Sequence, residues 1–238
     1  NALSEAMLEA LKEAFLNIGK SKKVKAVILR ANGSAFCAGH DLKEMQNFRD
    51  TKDGGKPYYQ ELLAKCTNVM RLIRELPQPV IACVDGVAAA AGCQLVASCD
   101  IAIATNKSYF QTPGVNIGLF CSTPMVAISR KVSPKDMMYM LLTGEKISAK
   151  QAKEYKLINM VIEKKHLQKN IDAILKKLIK KSFQSIQIGK IAFYNQLEMP
   201  INKAYDYTSM VMTKNMQKED AKEGIEAFIK KRNPNWSI

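Results

Sequence analysis

The sequence has few of the residues on which metal and disulfide chemistry depends. Its 238 residues include only two histidines, His40 and His166. The six cysteines form no C-x-x-C pair, and most lie inside apolar segments, as is typical of reduced thiols in an intracellular compartment. We therefore expect no zinc site and assign no metal ligand.

Long apolar runs are also missing. The longest apolar stretch, 86–97, consists of Ala, Gly, Cys and other residues around a Gln, and it predicts a packed turn and helix rather than a membrane span. Hydrophobic residues make up 47% and charged residues 24%, which is ordinary for a soluble protein of this size. The chain begins at Asn1 without Met, and we interpret it as a fragment that excludes any targeting peptide. Reduced cysteines fit either bacterial cytoplasm or mitochondrial matrix.

Acidic residues are scarce relative to basic ones, and the formal net charge is +14. Many lysines recur between positions 164 and 181 at the spacing of a solvated helix face. An anionic small ligand would fit the charge equally well. Nucleic acid remains an alternative, but no aromatic-rich basic motif accompanies the lysines, so it is not expected.

The hydrophobic pattern predicts an α/β fold that becomes all-helical. Helices are predicted in 1–18, 58–75, 93–99 and 133–142, from Ser148 onward, and in 166–181, 185–197, 201–216 and 219–231. The short apolar runs VKAVILR, VIACV, DIAIAT and LINMVI predict buried strands. Because strands alternate with helices, parallel pairing is expected. We divide the chain into a core at 1–184 and a helical region at 185–238.

Two glycine-containing turns hold the most informative residues. The first is Ala38–Lys43 (AGHDLK), and the second, DGVAAAAGC, spans 85–93 and joins a strand to a helix. Small residues let a ligand approach the backbone, and first-turn helix amides are unpaired donors. Two such amides that converge would bind a developing oxyanion. Tight packing of strand against helix would explain the same turns.

Taken in order, the segments resemble the enoyl-CoA hydratase/isomerase family, or crotonase superfamily. The similarity lies in six stretches that span nearly the whole chain: NALS, AFCAGHDLKEM, PQPVIACVDGVAAAAGCQLVASCDIAIAT, YFQTPGVNIGL, LLTGEKISAKQAKEYKLINMVI and EGIEAFIKKRNPNW. It implies a crotonase-type ββα spiral core, whose opening β-hairpin would precede Asn1, and a C-terminal helical trimerisation region. The expected assembly is a homotrimer or homohexamer.

The resemblance also implies roles for particular residues. The backbone amides of His40 and Ala91 would form an oxyanion hole for an acyl-CoA thioester, and coenzyme A would enter only as part of the substrate, with no resident cofactor. Residues implied to line the path of the thioester and coenzyme A are Ala38, His40, Asp41, Leu42, Lys43 and Ala91. Phe228 and Lys231 would reach the coenzyme A of an adjacent subunit.

Both catalytic carboxylates of the family's hydratases are absent. Gln94 follows the cysteine of the second turn where those hydratases have glutamate, and Gly114 follows Pro113 where they have the other. Family isomerases carry a carboxylate near position 122, but no Asp or Glu occurs between Asp100 and Asp136. A positioned acid or base contributes about 10²–10⁴-fold, so efficient hydration is not expected.

Other side chains could replace the missing carboxylates. His40 could act as a base, or its amide alone could matter while its ring faces solvent or coenzyme A. Cys121 or Ser122 could be a nucleophile, although no activating base is identifiable. Less favoured candidates are Asp41 as an acid rather than a cap, Glu44 and Glu145 as recruited acids, and Gln111 and Asn116 as polar walls. Three hypotheses follow: an enzyme acting on acyl-CoA thioesters, a non-catalytic acyl-CoA binder or modulator in fatty-acid metabolism, and an RNA-binding relative.

Overall fold

The computed structural model describes residues 1–237. Its strands are β1 (Val27–Arg30), β2 (Ala35–Cys37), β3 (Val80–Val84), β4 (Val87–Ala89), β5 (Ile101–Thr105), β6 (Tyr109–Gln111), β7 (Ile147–Ser148) and β8 (Met160–Ile162). Its helices are α1 (Glu5–Lys20), α2 (Leu42–Gln46), α3 (Lys56–Glu75), α4 (Ala91–Ser98), α5 (Ser122–Ile128), α6 (Pro134–Thr143), α7 (Ala149–Glu154), α8 (Leu167–Ile179), α9 (Phe183–Gln196), α10 (Ile201–Met216) and α11 (Glu219–Ile229). Single 3-10 turns lie at Pro113–Ile117 and Lys164–His166.

Two four-stranded sheets form the core. The first has the order β1-β3-β5-β8, and all of its pairs are parallel. The second has the order β2-β4-β6-β7, in which only β7 runs antiparallel to its neighbour. Strands β1 to β6 enter the two sheets alternately, which produces the spiral. The predicted α/β fold with parallel strands is confirmed.

The strands of the first sheet were predicted from sequence, whereas those of the second were not. β3 is completely buried, so its apolar run is continuous, as expected for a strand covered on both faces. β2 and β4 have three residues each and were interpreted as parts of a loop and a turn. That interpretation was wrong, because such short segments become strands only through pairing with distant parts of the chain.

Local signals account for the helix boundaries. The Ser4 hydroxyl accepts the Met7 amide at the start of α1, and Ser133 accepts the Asp136 amide at the start of α6. Gly144 ends α6 in the left-handed conformation, with φ 61°. The helices predicted from residue 166 onward are present as α8 to α11, so the change to an all-helical C-terminal region is also confirmed.

A buried ionic cluster attaches the helical region to the sheets. On α9, the Lys190 ammonium lies 2.6 Å from the Asp100 carboxylate and donates to the Ile73 and Gln78 carbonyls. The Tyr194 hydroxyl donates to the same carboxylate at 2.8 Å. Only 7% of the Lys190 side chain is exposed, so the cluster fixes α9 against the core through charged groups without much solvent.

Candidate active site

The two glycine-containing turns pack directly against each other. The first turn follows β2, and the second contains β4 and the residues after it. Because β2 and β4 are adjacent and parallel, the carboxyl ends of the two strands meet at one edge of the second sheet. Gly39 has φ +94°, and a Cβ built on it would lie 3.2 Å from the Ala89 carbonyl oxygen and 3.6 Å from the Ala91 nitrogen. A Cβ on Gly92 would lie 2.2 Å from the Cys37 carbonyl oxygen. Glycine is therefore required at both positions.

The amides of His40 and Ala91 are available to a ligand. Leu3 donates its N–H to the Gly39 carbonyl at 2.8 Å and pairs with His40 in an isolated parallel bridge. Ala91 is the first residue of α4, and Ala90 before it has the strained φ of 49°. Within residues 1–237, neither the His40 nor the Ala91 N–H has a hydrogen-bond acceptor. The packing of Gly39 onto Ala91 thus brings two uncommitted donors into one neighbourhood.

The His40 ring is enclosed rather than directed to bulk solvent. Its Nε2 atom is buried and has no hydrogen-bond partner among the described residues. Burial lowers the pKa of the imidazole, which favours the neutral ring at neutral pH. A neutral imidazole has one nitrogen that accepts a proton, so base chemistry at His40 is physically available.

Gln94 and Thr112 add two more buried polar atoms without partners. Gln94 lies one turn along α4 from Ala91, is 5% exposed, and its Oε1 accepts no hydrogen bond within residues 1–237. The hydroxyl oxygen of Thr112, a fully buried residue, is also unpaired there. Buried polar atoms normally find partners, so these two indicate a ligand or water. Sequence analysis did not single out Thr112, since only its burial distinguishes it.

Gly114, at the position where family hydratases carry a glutamate, lies in a crowded part of the structure. A Cβ there would lie 3.0 Å from the Leu119 carbonyl oxygen and 3.1 Å from the Cys121 sulfur. The position is buried within the 3-10 turn Pro113–Ile117, and the Leu119 amide donates to the Gly114 carbonyl at 2.9 Å. A glutamate at this position would therefore require the segment with Leu119 and Cys121 to move.

The other candidate acids and nucleophiles have different surroundings. Asp41 caps α2 by accepting the amides of Lys43 and Glu44, as its interpretation as a cap predicted. Burial raises the pKa of the Cys121 thiol, which disfavours a nucleophilic thiolate. Ser122 is exposed and donates to the Phe120 carbonyl.

The remaining candidates are engaged locally or lie at the surface. Glu44 accepts the Glu5 amide at 3.0 Å, and the exposed Glu145 accepts the Tyr139 hydroxyl at 2.5 Å. Gln111 accepts the Ala90 amide through its carbonyl, and Asn116 is exposed.

The residues assigned to coenzyme A are mostly at the surface. Ala38, Leu42 and Lys43 surround the first turn and are exposed, as a path for a nucleotide-bearing ligand requires. Phe228 is 84% exposed near the end of α11, and Lys231 follows the helix with φ 53°. Their contact with the coenzyme A of a neighbouring subunit stays a prediction.

Residues 1–237 contain no group of three or more His, Cys, Asp or Glu side chains arranged to hold a metal ion. None of the helices described in this range has both the length and the apolar character for crossing a bilayer.

The two interleaved sheets, the paired turns and the helical C-terminal region define a crotonase-type domain. The sequence model of the enoyl-CoA hydratase/isomerase family matches residues 1–238, so the chain belongs to that family.

Individual relatives agree with this assignment. The chain is 47% identical over 237 residues to the mitochondrial enoyl-CoA hydratase domain-containing protein 3 of Rattus norvegicus, covering 100% of this chain and 77% of the relative. The crystal structure of the human protein 3 has 46% identity, a TM-score of 0.93, and coverage of 99% of this chain and 91% of that one. An enoyl-CoA hydratase structure from Mycobacterium smegmatis has 49% identity, a TM-score of 0.94, and coverage of 99% and 90%.

Proposed function

We propose that the chain binds an acyl-CoA thioester and holds its carbonyl oxygen between the backbone amides of His40 and Ala91. The proposal is supported by the close packing of Gly39, the residue before His40, on Ala91, and by the absence of an acceptor for either N–H within residues 1–237. Backbone donors at the start of a helix stabilise negative charge that develops on a thioester oxygen. Family membership supports the same class of ligand.

Hydration of an enoyl double bond by this site is expected to be slow. Water addition needs a group that removes a proton and one that returns it, and the Gln94 amide does neither at neutral pH. Gly114 supplies no functional group, and a side chain there would need its neighbours to shift by a few tenths of an ångström. Loss of a positioned acid or base typically lowers the rate about 10²–10⁴-fold.

A second candidate is a non-catalytic acyl-CoA binder. The crowding around Gly114 favours it, because the Leu119 carbonyl and the Cys121 sulfur lie tightly against the place where a side chain would begin. The unpaired Gln94 Oε1 would then accept a hydrogen bond from water or ligand without chemistry. The two candidates share the same binding site and differ only in turnover.

The decisive experiment measures binding and turnover together. Calorimetry with crotonyl-CoA should show saturable binding, and absorbance at the enoyl thioester band should show slow or no hydration. Gln94→Glu restores one carboxyl and should raise any hydration rate by about 10²-fold. Gln217→Glu, at an exposed position after α10, is the matched control and should change nothing.

Absence of crotonyl-CoA binding would refute the proposal as a whole. Measurable hydration that survives Gln94→Ala and is lost in His40→Ala, with binding intact, would assign the base to His40. No hydration in either the wild type or Gln94→Glu, with binding intact, would establish the binder.

Assembly and compartment belong to the same proposal. We expect a homotrimer or homohexamer formed through the helical region, which sedimentation velocity would reveal. The names of the rat and human relatives place those proteins in mitochondria. For this chain, the matrix is proposed for a eukaryotic source and the cytoplasm for a bacterial one.

A further inference from the structure

A basic cavity of about 450 Å³ borders the candidate active site at Gln94. It lies between α3, α4, the segment around α5, and α9, and Gln94 forms part of its wall. The cavity therefore begins at the residue that occupies the position of a missing glutamate. Under the proposed function, the acyl chain of a thioester held at Ala91 would extend into this cavity.

Helix α4 carries both Ala91, at the candidate site, and residues of the cavity wall. Ala91, Gln94 and Ser98 lie on one side of the helix, and Ala97 and Ser98 also line the cavity. From Ala91 to Ser98 the helix rises roughly 10 Å, at about 1.5 Å per residue. The small side chains of Ala97 and Ser98 leave room for an acyl chain of medium length.

The far end of the cavity carries an excess of positive charge. Its wall contains Arg71, Arg74, Arg130 and Lys131, but only one carboxylate, Glu198. Arg74 and Arg130 both approach the same Glu198 oxygen, at 3.4 and 3.6 Å. One carboxylate thus faces two guanidinium groups, and its single charge cannot neutralise both.

Lys131 is the cation with the least compensation. Its side chain is half-buried and lies 5.5 Å from the centre of the Tyr194 ring. Among residues 1–237 it forms no ion pair with a carboxylate. Burial and the nearby Arg74 lower its pKa, while Asp100 on the core side opposes this shift. An ammonium enclosed in this way is stabilised by an anion from the ligand.

The aromatic wall is held in a fixed position. The Tyr194 hydroxyl donates to Asp100, which also pairs with the buried Lys190. Arg74 lies 4.8 Å from the Tyr194 ring centre, so the ring is in contact with two of the cations. The binding surface is therefore preorganised, which reduces the entropic cost of ligand binding.

We propose that this cavity receives the distal end of an acyl chain that carries a terminal carboxylate, so that the preferred ligand is a dicarboxylic acyl-CoA. Arg130 and Lys131 contact the terminal carboxylate, and the apolar walls from Met70 and Val126 contact the methylene groups. The inference rests on the proposed thioester site and adds the class of acyl group. An uncharged acyl chain would leave Lys131 without an ion-pair partner and Arg130 sharing Glu198 with Arg74.

The test compares matched thioesters that differ only in the terminal group. Calorimetry would measure the affinity of dicarboxylic acyl-CoAs with six, eight and ten carbons against the monocarboxylic acyl-CoAs of equal length. At the best-fitting length the wild type should prefer the dicarboxylic ligand by about tenfold or more. Lys131→Met, which retains the apolar stem, should reduce that preference about tenfold and leave monocarboxylic affinity nearly unchanged.

Lys135→Met is the control for general charge effects. Lys135 is exposed at the start of α6 and does not line the cavity, so this variant should keep the full preference. Equal affinity of the wild type for both ligand types at every length would overturn the inference while the thioester site stands. An equal loss of preference in Lys131→Met and Lys135→Met would also overturn it, because net charge would then explain the effect. If neither ligand type binds, the thioester site itself is wrong.

Discussion

Replacing Gly92 by alanine should separate the two amides without adding any functional group. The added Cβ would lie 2.2 Å from the Cys37 carbonyl oxygen and 2.8 Å from its carbonyl carbon. Ordinary contacts of a Cβ exceed 3 Å, so the start of α4 must retreat from β2 by about 1 Å, since the obstacle is backbone and cannot rotate away. The change therefore acts directly on the distance between Ala91 and His40.

The expected magnitude follows from two opposing effects. Overpacking against backbone costs about 3 kcal/mol of the free energy of unfolding. Alanine is favoured over glycine within a helix by about 1 kcal/mol, which offsets part of this cost. A net loss of about 2 kcal/mol is expected from urea denaturation. Loss of one well-aligned hydrogen bond to the thioester oxygen should weaken crotonyl-CoA binding about tenfold.

Gly189→Ala provides the matched control. Gly189 is also inside a helix, α9, but a Cβ there would meet no atom within 4 Å. This variant should gain about 1 kcal/mol and keep wild-type affinity for crotonyl-CoA. If Gly92→Ala is as stable as Gly189→Ala and binds crotonyl-CoA as tightly as the wild type, the close packing of the two turns is refuted.

Three further predictions concern charge, pH and thiols. Asp100→Asn should lower the free energy of unfolding by about 3 kcal/mol or more, because it leaves the buried Lys190 ammonium uncompensated. Glu198→Gln, at the more exposed pair with Arg74, should cost less than about 1 kcal/mol in the same urea titration. Burial lowers the pKa of His40, so the unfolded state binds the proton more readily, and the free energy of unfolding falls as the pH drops below about 6.5. Urea denaturation at pH 7 and at pH 5 should therefore show a smaller loss of stability in His40→Gln than in His166→Gln. All six cysteines are free and buried, and burial raises the pKa of each thiol. A colorimetric thiol reagent should therefore label them slowly in the native protein and completely in urea. Rapid labelling of the native protein would contradict their buried placement.

Sequence patterns were sufficient for the elements that bury long apolar runs. β3 and β5 consist of five residues each, are almost entirely buried, and stand out in the sequence for that reason. β2 and β4 have no such pattern, since Ala and Cys are compatible with turn, strand or helix. Their assignment as strands depends on pairing between residues about 50 positions apart, which composition does not encode.

The candidate site was predictable only in part. Glycine at positions 39 and 92 indicated close backbone approach, and the structure gives the contacts that require it. The missing carboxylates were also visible in the sequence, but the crowding at Gly114 was not. The basic cavity could not be predicted, because its cations come from α3 and from the segment after α5, and in each segment they are indistinguishable from ordinary surface residues.

The Lys190 cluster has a consequence for how the molecule comes apart. Because α9 contributes both a buried ammonium and the Tyr194 wall, the cavity exists only while α9 is docked. Removing the residues after 184, the boundary drawn from sequence, would leave the Ile73 and Gln78 carbonyls without the Lys190 donor and the Asp100 carboxylate without its ammonium partner. Core and tail should therefore melt in one transition, and a ligand in the cavity should shift the melting of both together.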